Sequence, residues 1–98
     1  MTSKERAYLR SQAMTMEPIL HIGKASVTPE LTEAVSEALE ARELIKLNVL
    51  QNCTDDVHYI ADAIAGRTRA DVVQVIGKKI VLYRPHKDPE KRRYQMPR

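Results

Sequence analysis

The sequence contains no tryptophan and no phenylalanine, and four tyrosines are its only aromatic residues. Any core it builds must therefore be aliphatic, and 43% hydrophobic residues are enough to build one. A single cysteine, Cys53, excludes an internal disulfide and fits a reducing compartment. No run of residues approaches the roughly 18 uncharged apolar positions of a membrane span. The opening segment Met1-Thr2-Ser3-Lys4-Glu5-Arg6 lacks the apolar stretch of a signal peptide, so a cytoplasmic protein is expected. With 98 residues the chain is long enough for one domain.

What is present is charge, 30% of all residues, with a net value of +3. It is unevenly placed. Residues 84–98 carry six basic groups (Arg84, Lys87, Lys91, Arg92, Arg93 and Arg98) against Asp88 and Glu90. By contrast, Glu30, Glu33, Glu37, Glu40 and Glu43 crowd one segment whose only basic residue is Arg42. One acidic element in an otherwise basic chain gives the molecule a polarity and suggests an anionic partner on one side.

Apolar spacing predicts the order α-β-α-β-α-β-β. Residues 3–15 read as a helix capped by Thr2 or Ser3, and Ile19–Ile22 as a short strand after Pro18. Thr28 is a natural N-cap, Pro29 suits the first helical position, and Glu30 complements the dipole. Leu31, Val35, Ala38 and Leu39 then form an apolar stripe ending at Arg42, whose stem is placed to lie over the core edge. Residues 44–50 read as a strand. Thr54 is expected to cap a third helix with Asp55 and Asp56 in its first turn, and Gly66 to end it. Residues 71–76 and 79–84 flank Gly77-Lys78 as a hairpin. Strands joined through a helix are expected to be parallel and the hairpin antiparallel, giving one mixed four-stranded sheet packed with helices. Residues 1–86 form the expected domain. Residues 87–98 form a basic tail expected to be loosely ordered without a partner.

Catalytic chemistry needs convergent titratable groups, and the sequence supplies few. Asp55-Asp56-Val57-His58 is the one acidic cluster beside a histidine, and it reads more simply as acids at a helix start. His21, His86 and Cys53 have no partner at a motif spacing. Gly23-Lys24 looks like the end of a phosphate-binding P-loop, but Pro18 stands where that motif requires glycine. No catalytic residue, metal or cofactor is expected.

The informative stretch is Ile22-Gly23-Lys24-Ala25-Ser26-Val27-Thr28-Pro29. A strand runs into a turn of small residues carrying a lysine, and the turn opens onto a capped helix. Small side chains let a phosphate backbone approach, helix-start N–H groups can donate to it, and Lys24 adds charge. An ordinary strand-to-helix connection has the same outline. This octet, Glu43-Leu44-Ile45-Lys46 at the end of the acidic helix, and Val73-Gln74-Val75-Ile76-Gly77-Lys78-Lys79-Ile80-Val81-Leu82-Tyr83-Arg84-Pro85 together resemble the CRM domain, in particular the stand-alone bacterial YhbY-like proteins. The resemblance runs over roughly residues 3–86. It implies a fold similar to the C-terminal domain of translation initiation factor three, RNA binding, and association with precursors of the large ribosomal subunit.

The family loop typically reads GKxG, whereas position 26 here is serine. If the backbone there needs φ > 0, serine is disfavoured relative to glycine by about 1 kcal/mol; with φ < 0 its hydroxyl is instead free to meet a phosphate. The expected RNA footprint comprises Gly23, Lys24, Ala25 and Ser26; Lys4, Arg6 and Arg10 on the first helix; Lys78, Lys79 and Arg84 around the hairpin; and the basic tail, where Tyr94 is either disordered or a ring for stacking. The partner implied is rRNA in precursor large-subunit particles, bound by a monomer, with no membrane involved. Two other readings remain at this point. One is a protein-docking module using the acidic helix 29–43, and the other a small hydrolase using Asp55, Asp56 and His58.

Overall fold

In the computed structural model, residues 1–97 are described. Among them the elements follow the expected order: Ser3–Ala13 (α1), Leu20–Ile22 (β1), Pro29–Arg42 (α2), Leu44–Val49 (β2), Val57–Thr68 (α3), Asp71–Ile76 (β3) and Lys79–Tyr83 (β4). The strands form one mixed sheet in the order β1-β2-β4-β3. β1 pairs parallel with β2, and β4 is antiparallel to both β2 and β3. A single α/β domain results.

Strand periodicity sorts the side chains into two layers. Ile45, Leu47 and Val49 of β2, with Ile80 and Leu82 of β4, face α2 and α3, where they meet Val35, Leu39, Ile60 and Ile64. The alternate positions Leu44, Val81 and Tyr83 face the other way and pack with Leu9 and Ala13 of α1. Three helices therefore sandwich the sheet, two on one side and one on the other.

Local signals account for most element ends. Thr2 and Glu5 close a capping box on α1, their backbone amides donating to each other's side chains. Thr28 caps α2, its hydroxyl accepting from the N–H of Leu31. The start of α3 differs from expectation: the cap is Asp56 rather than Thr54, and its carboxylate accepts from the N–H groups of His58 and Tyr59 at 3.0 and 3.1 Å. Asp outranks Thr as a cap, and here one side chain satisfies two orphan amides. The end of α3 also differs. The helix runs through Gly66 to Thr68, because Ala65 and Thr68 are buried beneath it, and Arg69 ends it in the left-handed region at φ 58°.

The largest departure is at Glu43. Instead of joining the exposed glutamates, it leaves α2 at φ 66° and is buried at 2% exposure, while Arg42, expected at the core edge, is exposed. The segment after Pro85 follows from this. Expected to be loose, it lies against the α1 side of the sheet, where Tyr94 and Met96 join the smaller core and residues 89–91 form a single 3-10 turn. The Tyr94 ring meets Tyr83 edge-on, with centroids 6.3 Å apart at 86°. Arg98, one of the tail cations, lies outside the described residues.

Candidate nucleic-acid interface

The loop of residues 23–26 is a tight turn, closed by the Ser26 N–H donating to the Gly23 carbonyl at 2.9 Å. Its start is tied to the exit of β2 by the Leu50 N–H on the Ile22 carbonyl at 2.8 Å. Ser26 adopts φ 58°, the left-handed conformation that glycine takes without penalty. Its hydroxyl oxygen is buried and has no hydrogen-bond partner among the described residues. Lys24 and Ala25 are exposed. Fewer helix-start amides face the loop than the sequence suggested, since Pro29 has none and the Leu31 N–H is taken by Thr28.

The hairpin turn arrives at the same end of the sheet. Gly77 supplies its positive φ of 57°, and the Val49 N–H donates to the Lys78 carbonyl at 2.8 Å. The exits of β1 and β2 and the β3–β4 turn are thus hydrogen-bonded neighbours, which brings Lys24, Lys78 and Lys79 to one end of the domain. Lys79 Nζ donates to Asn48 Oδ1 at 2.7 Å, and Asn48 Nδ2 lies 3.3 Å from His21 Nδ1. An ammonium can only donate, so the Asn48 oxygen faces Lys79 and its NH₂ faces His21. His21 Nδ1 is thereby placed to accept from that NH₂. A polar line runs across three strands on the α1 side of the sheet.

Helix α1 divides its cations. Lys4 is exposed in the first turn, and Arg10 is exposed further along. Arg6 is turned inward: its guanidinium donates to the carbonyl of Val72 and, at 3.2 Å, to that of Val73, clamping α1 to the irregularity in β3 between Val72 and Gln74. Arg84 is not brought to the others. Sharing the parity of Ile80 and Leu82, it points toward α2 and α3, where it donates to Ser36 Oγ and carbonyl, donates to the Thr68 carbonyl at 2.8 Å, and pairs with Glu40 at 3.4 Å. Its guanidinium joins two helices.

Lys46, Asn48 and His21 were not singled out as site residues, yet they lie on the same side of the sheet as α1, next to the part that α1 and the tail leave open. The signal was available in the alternation of β2, where Lys46 and Asn48 interrupt Ile45, Leu47 and Val49. The exposed glutamates Glu30, Glu33, Glu37 and Glu40 sit on α2, on the opposite layer. The four exposed glutamates are thereby held on the layer opposite α1 and Lys46. Asp55 and His58 are exposed beside the Asp56 cap. Among the described residues no group of three or more His, Cys, Asp or Glu is placed to hold a metal, and no helix is long and apolar enough to cross a membrane.

Comparison with known proteins adds an independent line. The family model described as the CRS1 / YhbY (CRM) domain matches residues 1–84. The chain is 44% identical over 88 residues to a protein of Bacillus subtilis named probable RNA-binding protein YqeI, covering 90% of this chain and 92% of that one. It is 32% identical over 98 residues to an RNA-binding protein of Haemophilus influenzae, covering 100% and 96%. The solution structure of the hypothetical protein SAV1595 from Staphylococcus aureus superposes with a TM-score of 0.81 at 40% identity, covering 99% of each chain.

Proposed function

The chain belongs to the CRS1 / YhbY (CRM) domain family, and from that premise we propose that it binds structured RNA, specifically rRNA in precursors of the large ribosomal subunit. It acts there as an assembly factor, by binding and without catalysis, as a cytoplasmic monomer. The observation that carries the reading is that the start of the Gly23–Ser26 loop and the Lys78–Lys79 turn are both hydrogen-bonded to the exit of β2, which puts them at one end of the sheet. A turn of small residues backed by cations suits a phosphate backbone, and loops of this kind clamp RNA in other domains.

Gly23 adjoins Asn52 and Leu50 of the β2–α3 loop, and the Leu50 N–H on the Ile22 carbonyl fixes the start of the loop against the exit of β2. Arg10 and Lys46 extend the positive surface from this end over the open sheet, with Lys4 further along α1. Arg6 and Arg84 support the fold that presents these groups.

The test is to crosslink the protein to RNA in cells and sequence what is attached. Enrichment of large-subunit rRNA and its precursor sequences is expected, with crosslinks at residues 23–26 and 78–79. Recovery of RNA in proportion to its cellular abundance would overturn the assignment to the large subunit.

A further inference from the structure

Between α1 and the open part of the sheet lies a groove of about 400 Å³ whose apolar wall the loop-centred reading does not use. Met14, at the end of α1, and Ile76, at the end of β3, line it and are 77% and 59% exposed. The two apolar side chains stand on one groove rather than scattered over the surface. Arg10 and Lys46 line the same groove, as does Gln74, which is half-buried and makes no hydrogen bond to another described residue through its carboxamide. The groove therefore offers apolar surface, an amide able both to donate and to accept, and two positive charges.

We infer that this groove receives an unpaired base of the bound RNA, with Arg10 and Lys46 on the flanking phosphates. A nucleobase has apolar faces and a polar edge, and it comes attached to anions on both sides. Each of these features has its complement here. A paired base in a helix has its faces stacked and its edge engaged, so a regular duplex cannot fill the groove. A bulged or looped nucleotide can, which is the usual route to sequence-dependent RNA recognition. A partner protein could match the apolar wall, but it would need acidic groups to balance Arg10 and Lys46. RNA brings that charge in its backbone. The inference rests on the RNA-binding reading above and adds the class of RNA: helical segments interrupted by unpaired nucleotides.

The full chain is titrated against three RNAs at one salt concentration. These are a short blunt duplex, the same duplex with one bulged adenosine, and that duplex with an abasic residue at the bulge. The adenosine bulge is expected to bind roughly five- to tenfold tighter than the other two, toward the low end for base contacts because no aromatic ring lines the groove. Met14→Ala and Ile76→Ala alter exposed positions, and each is expected to erase that preference while leaving duplex binding and the melting temperature unchanged. Equal binding of all three RNAs would overturn the groove as a base site and leave RNA binding standing. A preference that survives both substitutions would place the base elsewhere and overturn it too. Binding to none of the three would remove the RNA reading and this inference together.

Discussion

The carboxylate of Glu43 accepts a hydrogen bond from the backbone N–H of Arg93 at 2.5 Å, across 50 residues of chain. Its other oxygen accepts from the N–H of His86 at 3.2 Å, and its own carbonyl accepts from the N–H of Arg84. One buried residue therefore ends α2, aligns the exit of β4 and holds the returning tail.

Glu43→Ala is expected to lower stability by about 2 kcal/mol or more, because two backbone N–H groups lose their acceptor at a buried site. Glu43→Gln keeps the volume and one acceptor and is expected to lose less. Urea unfolding measures both, and limited proteolysis should cut the alanine variant between residues 85 and 95 first. Equal protection of that segment in variant and parent would contradict the clasp.

Ser26→Gly removes a left-handed serine and a buried unpaired hydroxyl together. The urea midpoint should rise by an amount corresponding to about 1 kcal/mol, with an unchanged slope. RNA affinity is expected to hold or improve. Weaker binding by this more stable variant would identify the hydroxyl as a direct ligand of the RNA.

The footprint also predicts a salt dependence. Neutralising about five phosphates gives a slope of log K against log salt of roughly −3.5 to −4.5. Lys24→Ala should weaken binding modestly and flatten that slope by somewhat under one unit. Gly23→Asp should weaken it far more with the fold intact, since a Cβ there makes ordinary contacts, 3.6 Å from Asn52 Oδ1 and 3.8 Å from Leu50 Cδ1. A slope near zero for the parent would favour docking to protein through the acidic face of α2.

Asp56→Ala should destabilise by about 1 kcal/mol through loss of the α3 cap. Asp55→Asn and His58→Gln should leave RNA binding unaltered. Loss of a metal-dependent cleavage of RNA in either folded variant would overturn the proposal that the protein acts by binding alone.

The tail contact has a predictable alkaline limit. Burial raises the phenol of Tyr83, with the Glu43 charge adding to it, and burial likewise raises that of Tyr94. A phenol held neutral in the fold contributes stability that is complete below the unfolded value, near 10, and is lost as pH rises through the folded value. The near-UV signal of the tyrosine pair should therefore persist through neutral pH and fall only above about 10. Tyr94→Phe keeps the packing while removing one ionisable group, and should push that loss to higher pH.

Sequence alone determined the element order, the mixed sheet and the loop on which the proposed RNA contact is centred. Those rest on information held within a few residues: Thr28 before Pro29, alternation in β2, an apolar run in β4, a glycine at the hairpin turn, small residues around Lys24. Strand parity was also there to be read, and it would have turned Arg84 inward with Leu82 and put Lys46 and Asn48 on the side of α1. Caps and helix ends were less legible, because Asp56 competed with Thr54, and burial of Ala65 and Thr68 carried α3 past Gly66.

Only the tertiary structure decided how Glu43 and the tail are used. A glutamate after four others reads as one more solvated charge, and a basic, proline-containing segment reads as loose. Their pairing joins positions 50 residues apart, so no local pattern marks it. The same holds for the basic surface. Lys24, Lys78 and Lys79 come to one end of the domain because backbone hydrogen bonds tie Ile22 to Leu50 and Val49 to Lys78, and Arg10 reaches the open sheet only because α1 packs across it. Such groupings depend on which strands become neighbours, and that is settled by burying two aliphatic layers at once.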